Sequence, residues 1–129
     1  MTGLPLDHVA IAVPSMTQAI PMHEALSGRA AGPVETLETQ GVRVAFVGGV
    51  ELLEPLSADT PVGRFLSRHG PGLHHLAYRT ADLDAELARL VGLGFEPIDR
   101  TGRIGARGHR VAFLHPAGTG KVLIELVQP

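Results

Sequence analysis

The chain says one thing twice, and that repetition limits what it can fold into. Leu6-Asp7-His8-Val9-Ala10-Ile11-Ala12-Val13 is matched later by Leu73-His74-His75-Leu76-Ala77-Tyr78-Arg79-Thr80. His8 falls on His75, Ala10 on Ala77 and Leu6 on Leu73. A second echo closes each half, where Val50-Glu51-Leu52-Leu53-Glu54-Pro55 is answered by Ile124-Glu125-Leu126-Val127-Gln128-Pro129. Each half therefore opens with a strand-like run bearing a His and closes with one bearing a Glu. Two copies are too few for a solenoid, so the pattern predicts a duplicated module within one fold.

The stretch between the echoes reads alike in both halves. Leu6 to Val13 is apolar at nearly every position, as expected for a strand covered on both faces. Period 2 puts Leu6, His8, Ala10 and Ala12 on one side, and the branched Val9, Ile11 and Val13 on the other. Ser15 caps a helix from about Met16 to Leu26, with Pro21 predicting a kink or an early end. Strands are expected at Pro33–Leu37, Val42–Val47 and Val50–Leu53, the last two joined by a tight turn at Gly48-Gly49. Thr60-Pro61 starts a short helix through about Arg68. In the second half Asp82 caps a helix to about Leu93, with Leu83, Leu87, Leu90 and Val91 on one stripe. Strands follow at Phe95–Asp99, Arg110–Leu114 and Val122–Val127, and Thr101–Gly108 reads as a loop. The sum is two tandem βαβββ modules: an α+β domain over residues 1–129, with module 1 at about 5–56, a linker helix at about 57–72 and module 2 at about 73–129.

With 129 residues, 44% of them apolar, the chain has enough material for a packed core. A net charge of −2 argues against nucleic acid as the partner. No cysteine is present, which removes disulfides, thiolate nucleophiles and thiolate metal ligands. The N-terminus lacks a basic start followed by an apolar run. No apolar run reaches the roughly 20 residues that a membrane helix needs. A cytoplasmic protein without membrane contact is the expectation.

His8, Glu51, His75 and Glu125 are the candidate metal ligands. A strand Glu at a sheet edge can simply face water, and a strand His can be a satisfied core residue. A carboxylate flanked by bulky apolar residues, as in Leu123-Ile124-Glu125-Leu126-Val127, is costly to bury ionised without a cation or a strong donor. Recurrence of the pair in both halves favours one shared site. Imidazole nitrogen and carboxylate oxygen suit Co²⁺, Mn²⁺, Ni²⁺, Zn²⁺ or Fe²⁺. Four protein ligands leave two octahedral positions for substrate or water. His74 alternates away from His75, and His115 before Pro116 reads as a turn residue with a structural hydrogen bond. His23, His69 and His109 read as surface or loop residues. Arg100, Arg103, Arg107 and Arg110 form either a solvated loop or a grip on phosphate or carboxylate.

These stretches resemble the vicinal oxygen chelate superfamily and, within it, the methylmalonyl-CoA epimerases. The resemblance is carried by Leu6–Val13, Gln40-Gly41-Val42, Glu51-Leu52-Leu53-Glu54-Pro55 and the spaced Asp59, Pro61, Phe65 and Leu66. It continues through Gly72-Leu73-His74-His75-Leu76-Ala77, Gly105-Ala106-Arg107-Gly108, Val111–Pro116 and Gly120–Leu126. It implies a curved, partly closed mixed sheet around a metal site, with His8, Glu51, His75 and Glu125 as ligands. It also implies a divalent ion (Co²⁺ first, then Mn²⁺, Ni²⁺ or Zn²⁺), an acyl-CoA substrate and a homodimer. The implied reaction is epimerisation at C2 of methylmalonyl-CoA through a metal-stabilised enolate. Glu125, with Glu51 across from it, would move the proton. Other metalloenzymes of this fold, glyoxalase-type isomerases or dioxygenases, and metal-free binding modules are the alternatives. Two departures stand out. Met22-His23 occupies the place of an aromatic pair in the first helix, and Val44 stands where some members carry a carboxylate. Water, Glu35 or Glu38 is then the candidate for the second proton donor.

Overall fold

The computed structural model describes residues 3–129. Packing divides them into two compact units: Val9–His74, and His75–Pro129 together with the residues up to His8. The division runs through the first strand, β1 (Leu6–Ala12), which supplies residues to both.

The Val9–His74 unit continues with α1 (Met16–Ser27), β2 (Glu35–Leu37), β3 (Val42–Val47), β4 (Val50–Pro55) and α2 (Pro61–His69). Its strands run in the order β2-β3-β4-β1. β1 is parallel to β4, and the other pairings are antiparallel. The other unit holds most of β5 (Gly72–Arg79), then α3 (Leu83–Gly92), β6 (Arg103–Ile104), β7 (Arg110–Leu114) and β8 (Ile124–Gln128). Its order is β5-β8-β7-β6, with β5 parallel to β8 and the rest antiparallel. The same module is therefore built twice, and the fold is α+β with mixed sheet, as the repeat predicts.

Capping explains where the helices begin. Ser15 accepts from the Gln18 amide, Thr60 from Gly63 and Asp82 from Ala85, each satisfying an N–H that the first turn leaves orphaned. Each unit then buries one helix against one sheet face. Val13, Met16, Ala19, Ala45, Val47 and Leu52 form the core under α1. Leu83, Leu87, Leu90, Ala112, Leu114 and Leu126 form the core under α3.

Several boundaries differ from the sequence expectation. Pro21 removes one helical hydrogen bond, yet α1 runs on to Ser27 and stops at Gly28, whose φ of 71° is the left-handed conformation that favours glycine. Phe95–Asp99 is not a strand. Only an isolated bridge forms there, Pro97 to Leu114, closed by the Ile98 amide on the Phe113 carbonyl and the His115 amide on the Glu96 carbonyl, and the Asp99 carboxylate takes the Phe113 amide that a longer ladder would use. The pairing strand is Arg103–Ile104, inside the stretch that reads as a loop. The last strand starts at Ile124 and not Val122, after Lys121 takes a left-handed turn at φ 69°. Pro33 and Val34 likewise precede the strand that begins at Glu35. Val91 is exposed and lies off the α3 stripe, about 100° around the helix from Leu90.

The sheet face turned away from α1 in one unit and from α3 in the other is what positions the site. Directly paired residues point to the same face. In the Val9–His74 unit Glu51 pairs with Ala10 on one side and Phe46 on the other. Leu52, next along β4, lies in the core under α1, so Glu51 faces away from the helix. Glu125 pairs with Ala77 and Phe113, while Leu126 lies in the core under α3. The two glutamates thus hold equivalent places, each between a small residue and a phenylalanine. No helix among the described residues is long and apolar enough to cross a membrane.

Candidate metal centre

His8 lies buried on β1, with Ala10 the next residue on its face. Its Nδ1 is 2.6 Å from Oδ2 of Asp7. A neutral imidazole that donates from Nδ1 keeps Nε2 as its lone-pair nitrogen, whereas a protonated ring donates from both. That Nε2 is 3.4 Å from Oε1 of Glu125. His75, on β5, brings its own Nε2 to 3.7 Å from the same oxygen. The rings are 5.8 Å apart and inclined at 73°. The edge-on contact of His75 with Phe113, 5.2 Å between centroids at 87°, restrains the His75 ring. Glu125 is 7% exposed and the two histidines are no more open.

The electrostatics of this cluster are unusual for a sheet interior. Burial pushes the Glu125 carboxyl up, but hydrogen bonds and charge from His75 and His8 more than offset it and hold it at about 2. Burial also acts on Asp7, and its hydrogen bonds from His8 and Arg79, with the charge of Arg107, bring that carboxyl below its ordinary range. Two imidazole nitrogens converging on one buried carboxylate oxygen are the donor set of a borderline divalent ion. The donors also fit in chemistry, because Asp7 engages the ring nitrogen of His8 that points away from Glu125. His8, His75 and Glu125 therefore make a His–Glu–His group that could bind a metal. Glu51 is buried to the same degree at the equivalent place on β4.

Other residues resolve into structural roles. His74 turns to the ring of Phe65 and not to His75. His115 caps the turn after β7, its Nδ1 accepting from the Ala117 amide. Three of the four loop arginines meet carboxylates of this chain: Arg107 near Asp7, Arg110 on Asp84 and Arg103 on Asp99, the last also over the Phe113 ring. Sequence reasoning missed two features. Strand alternation hides Asp7, whose carboxylate turns back onto the ring beside it. Glu54 and Gln128, three residues after each site glutamate, accept from the first amides of α1 and α3. That shared position in the closing echo was the available signal.

The geometry has counterparts elsewhere. Residues 7–113 match the family model of the Glyoxalase/Bleomycin resistance protein/Dioxygenase superfamily. The chain is 44% identical over 128 residues to the uncharacterized protein YqjC of Bacillus subtilis, covering 96% of this chain and 91% of that one. It is 35% identical over 129 residues to the ethylmalonyl-CoA/methylmalonyl-CoA epimerase of Cereibacter sphaeroides, covering 95% and 96%. The chain belongs to the methylmalonyl-CoA epimerase family of this superfamily. Among solved structures, a substituted form of the Streptomyces coelicolor methylmalonyl-CoA epimerase in complex with 2-nitronate-propionyl-CoA superposes with a TM-score of 0.91. It is 36% identical, over 98% of this chain and 95% of that one. Family membership makes the chain an enzyme of the epimerase kind, an isomerase. The superfamily commonly binds a divalent metal, which is the chemistry the His–Glu–His group offers.

Proposed function

We propose that this chain interconverts the 2R and 2S forms of methylmalonyl-CoA, using a divalent ion held by His8, Glu51, His75 and Glu125. The observation that carries the reading is the convergence of two imidazole nitrogens on one oxygen of Glu125, in a chain of the epimerase family. Glu51 is included because it repeats the register of Glu125 between an alanine and a phenylalanine.

The C2 proton lies between a thioester and a carboxylate, so its removal leaves an enolate. A bound divalent ion supplies Lewis acidity for the oxygen on which that charge accumulates. The protein's part is to place carboxylates for the proton. Glu125 is held ionised at neutral pH, the form that accepts a proton. Its low pKa makes it a weak base, which favours sharing the work with Glu51. Val44 offers no proton carrier, but Glu35 pairs with Val44 and faces the same side of the sheet. Glu35, or water, can return the proton. A nitronate is planar and anionic, as an enolate is, and its presence with a relative supports this route.

The test is epimerase activity on methylmalonyl-CoA before and after chelation, with single metals added back. The reading expects loss on chelation and recovery with Co²⁺. Full activity in metal-free protein would remove the ion from the mechanism. Turnover of hemithioacetals but not methylmalonyl-CoA would assign a glyoxalase-type reaction instead.

A further inference from the structure

We infer that Asp7 is a positioning residue that fixes the tautomer and tilt of His8, so that Nε2 and not Nδ1 serves the metal centre. The inference rests on the metal reading above. Asp7 precedes His8 on β1, where alternation would send its side chain to the opposite face. Instead its Oδ2 stands 2.6 Å from Nδ1 of His8, and both side chains are 4% exposed. Its other oxygen accepts from Nε of Arg79 at 3.2 Å, and a guanidinium nitrogen of Arg107 approaches Oδ2 at 3.5 Å. A carboxylate this buried is held by partners on three sides, so it is a fixed acceptor. Commitment of one ring nitrogen to a carboxylate determines which nitrogen coordinates, and raises its basicity as a ligand.

The duplication does not account for this arrangement. The residue that matches Asp7 in the second half is His74, whose ring packs on Phe65 at 4.8 Å. The Asp7–His8 contact is therefore a property of the first copy and not an inheritance of the repeat. The route through Arg107 also gives the Arg103–Gly108 stretch a role. Arg107 adopts φ 60°, a conformation that non-glycine residues rarely take, while its side chain reaches Asp7.

The test uses the full chain, freed of metal and titrated with Co²⁺ alone in competition with a chromophoric chelator. Wild type, Asp7→Asn, Asp7→Ala and Arg79→Gln are compared. Wild type is expected to bind one ion. Asp7→Asn and Asp7→Ala are expected to bind it about 10- to 100-fold more weakly. Arg79→Gln, which keeps the carboxylate and loses one of its partners, should show a smaller loss. Zn²⁺-loaded protein supplies a second readout. The His8 Nδ1 proton should appear as a slowly exchanging downfield resonance in wild type and disappear in Asp7→Ala. Unchanged thermal midpoints of the metal-free variants would separate this from misfolding. If Asp7→Asn does not fold, Arg79→Gln carries the comparison. Wild-type affinity in the Asp7 variants, with the ring proton retained, would overturn the role of Asp7 and leave the metal reading standing. Absence of Co²⁺ binding by wild type would overturn both.

Discussion

The two halves place their glutamates alike and support their histidines differently. Glu51 and Glu125 each lie between an alanine and a phenylalanine, and each is followed by a leucine buried under its helix. Three residues further on, Glu54 and Gln128 each accept from the first amide of that helix. The neighbours of the histidines have diverged. Asp7 holds His8, whereas the matching His74 has turned to Phe65. The helices differ as well: α1 buries only Met16 and Ala19, while α3 buries three leucines. What survives duplication is the set of side chains turned away from α1 and α3. The second layer behind that set has been free to specialise.

The comparison breaks most visibly in catalysis. Glu125→Gln in metal-loaded protein should lower solvent deuterium exchange into C2 of methylmalonyl-CoA by about 10²- to 10⁴-fold. Glu51→Gln should fall in the same range if the halves share the proton work. A Glu125→Gln protein that binds metal and exchanges at the wild-type rate would remove Glu125 as a base.

Stability sharpens it next. Leu52 is fully buried and Leu126 nearly so, at matching places. Leu52→Ala and Leu126→Ala should each cost about 2–5 kcal/mol in urea denaturation. A cost confined to one variant would mean that the two cores are not equivalent. Smaller again are the helix anchors. Glu54→Ala and Gln128→Ala should each lose about 0.5–2 kcal/mol. Glu54 should be the larger because it also accepts from Arg43.

Acid separates the halves in a further way. Glu125 has a folded pKa of about 2 against an ordinary 4.5. Its contribution is fully present above the ordinary value and is lost as pH falls through that window towards 2. Metal-free wild type should therefore lose stability across that range, and metal-free Glu125→Gln should lack this part of the loss. Coincident acid denaturation curves would contradict the pairing of Glu125 with the two imidazoles.

Much of this was legible in the chain. The repeat gave the duplicated βαβββ module and the matched His and Glu positions, because period 2 and capping signals act locally. His115 as a turn cap and His74 facing away from His75 were legible for the same reason. What was not legible depends on contacts between strands or on a single backbone preference. The Asp99 carboxylate takes the Phe113 amide that would have extended the ladder beyond Pro97. Arg103–Ile104 pairs only because β7 lies alongside. Asp7 defies alternation because His8, Arg79 and Arg107 all meet its carboxylate. The arginine loop reads equally as a solvated loop or a grip on an anion, and three of its guanidiniums meet this chain's own carboxylates.

A shared centre requires one imidazole and one carboxylate from each half on a single ion. An anomalous-scattering crystal structure of the Co²⁺-loaded protein addresses it directly. The expected map has one strong peak about 2.0–2.2 Å from donor atoms of His8, Glu51, His75 and Glu125. A cobalt peak bound elsewhere, or one that leaves either glutamate beyond bonding distance, would contradict it.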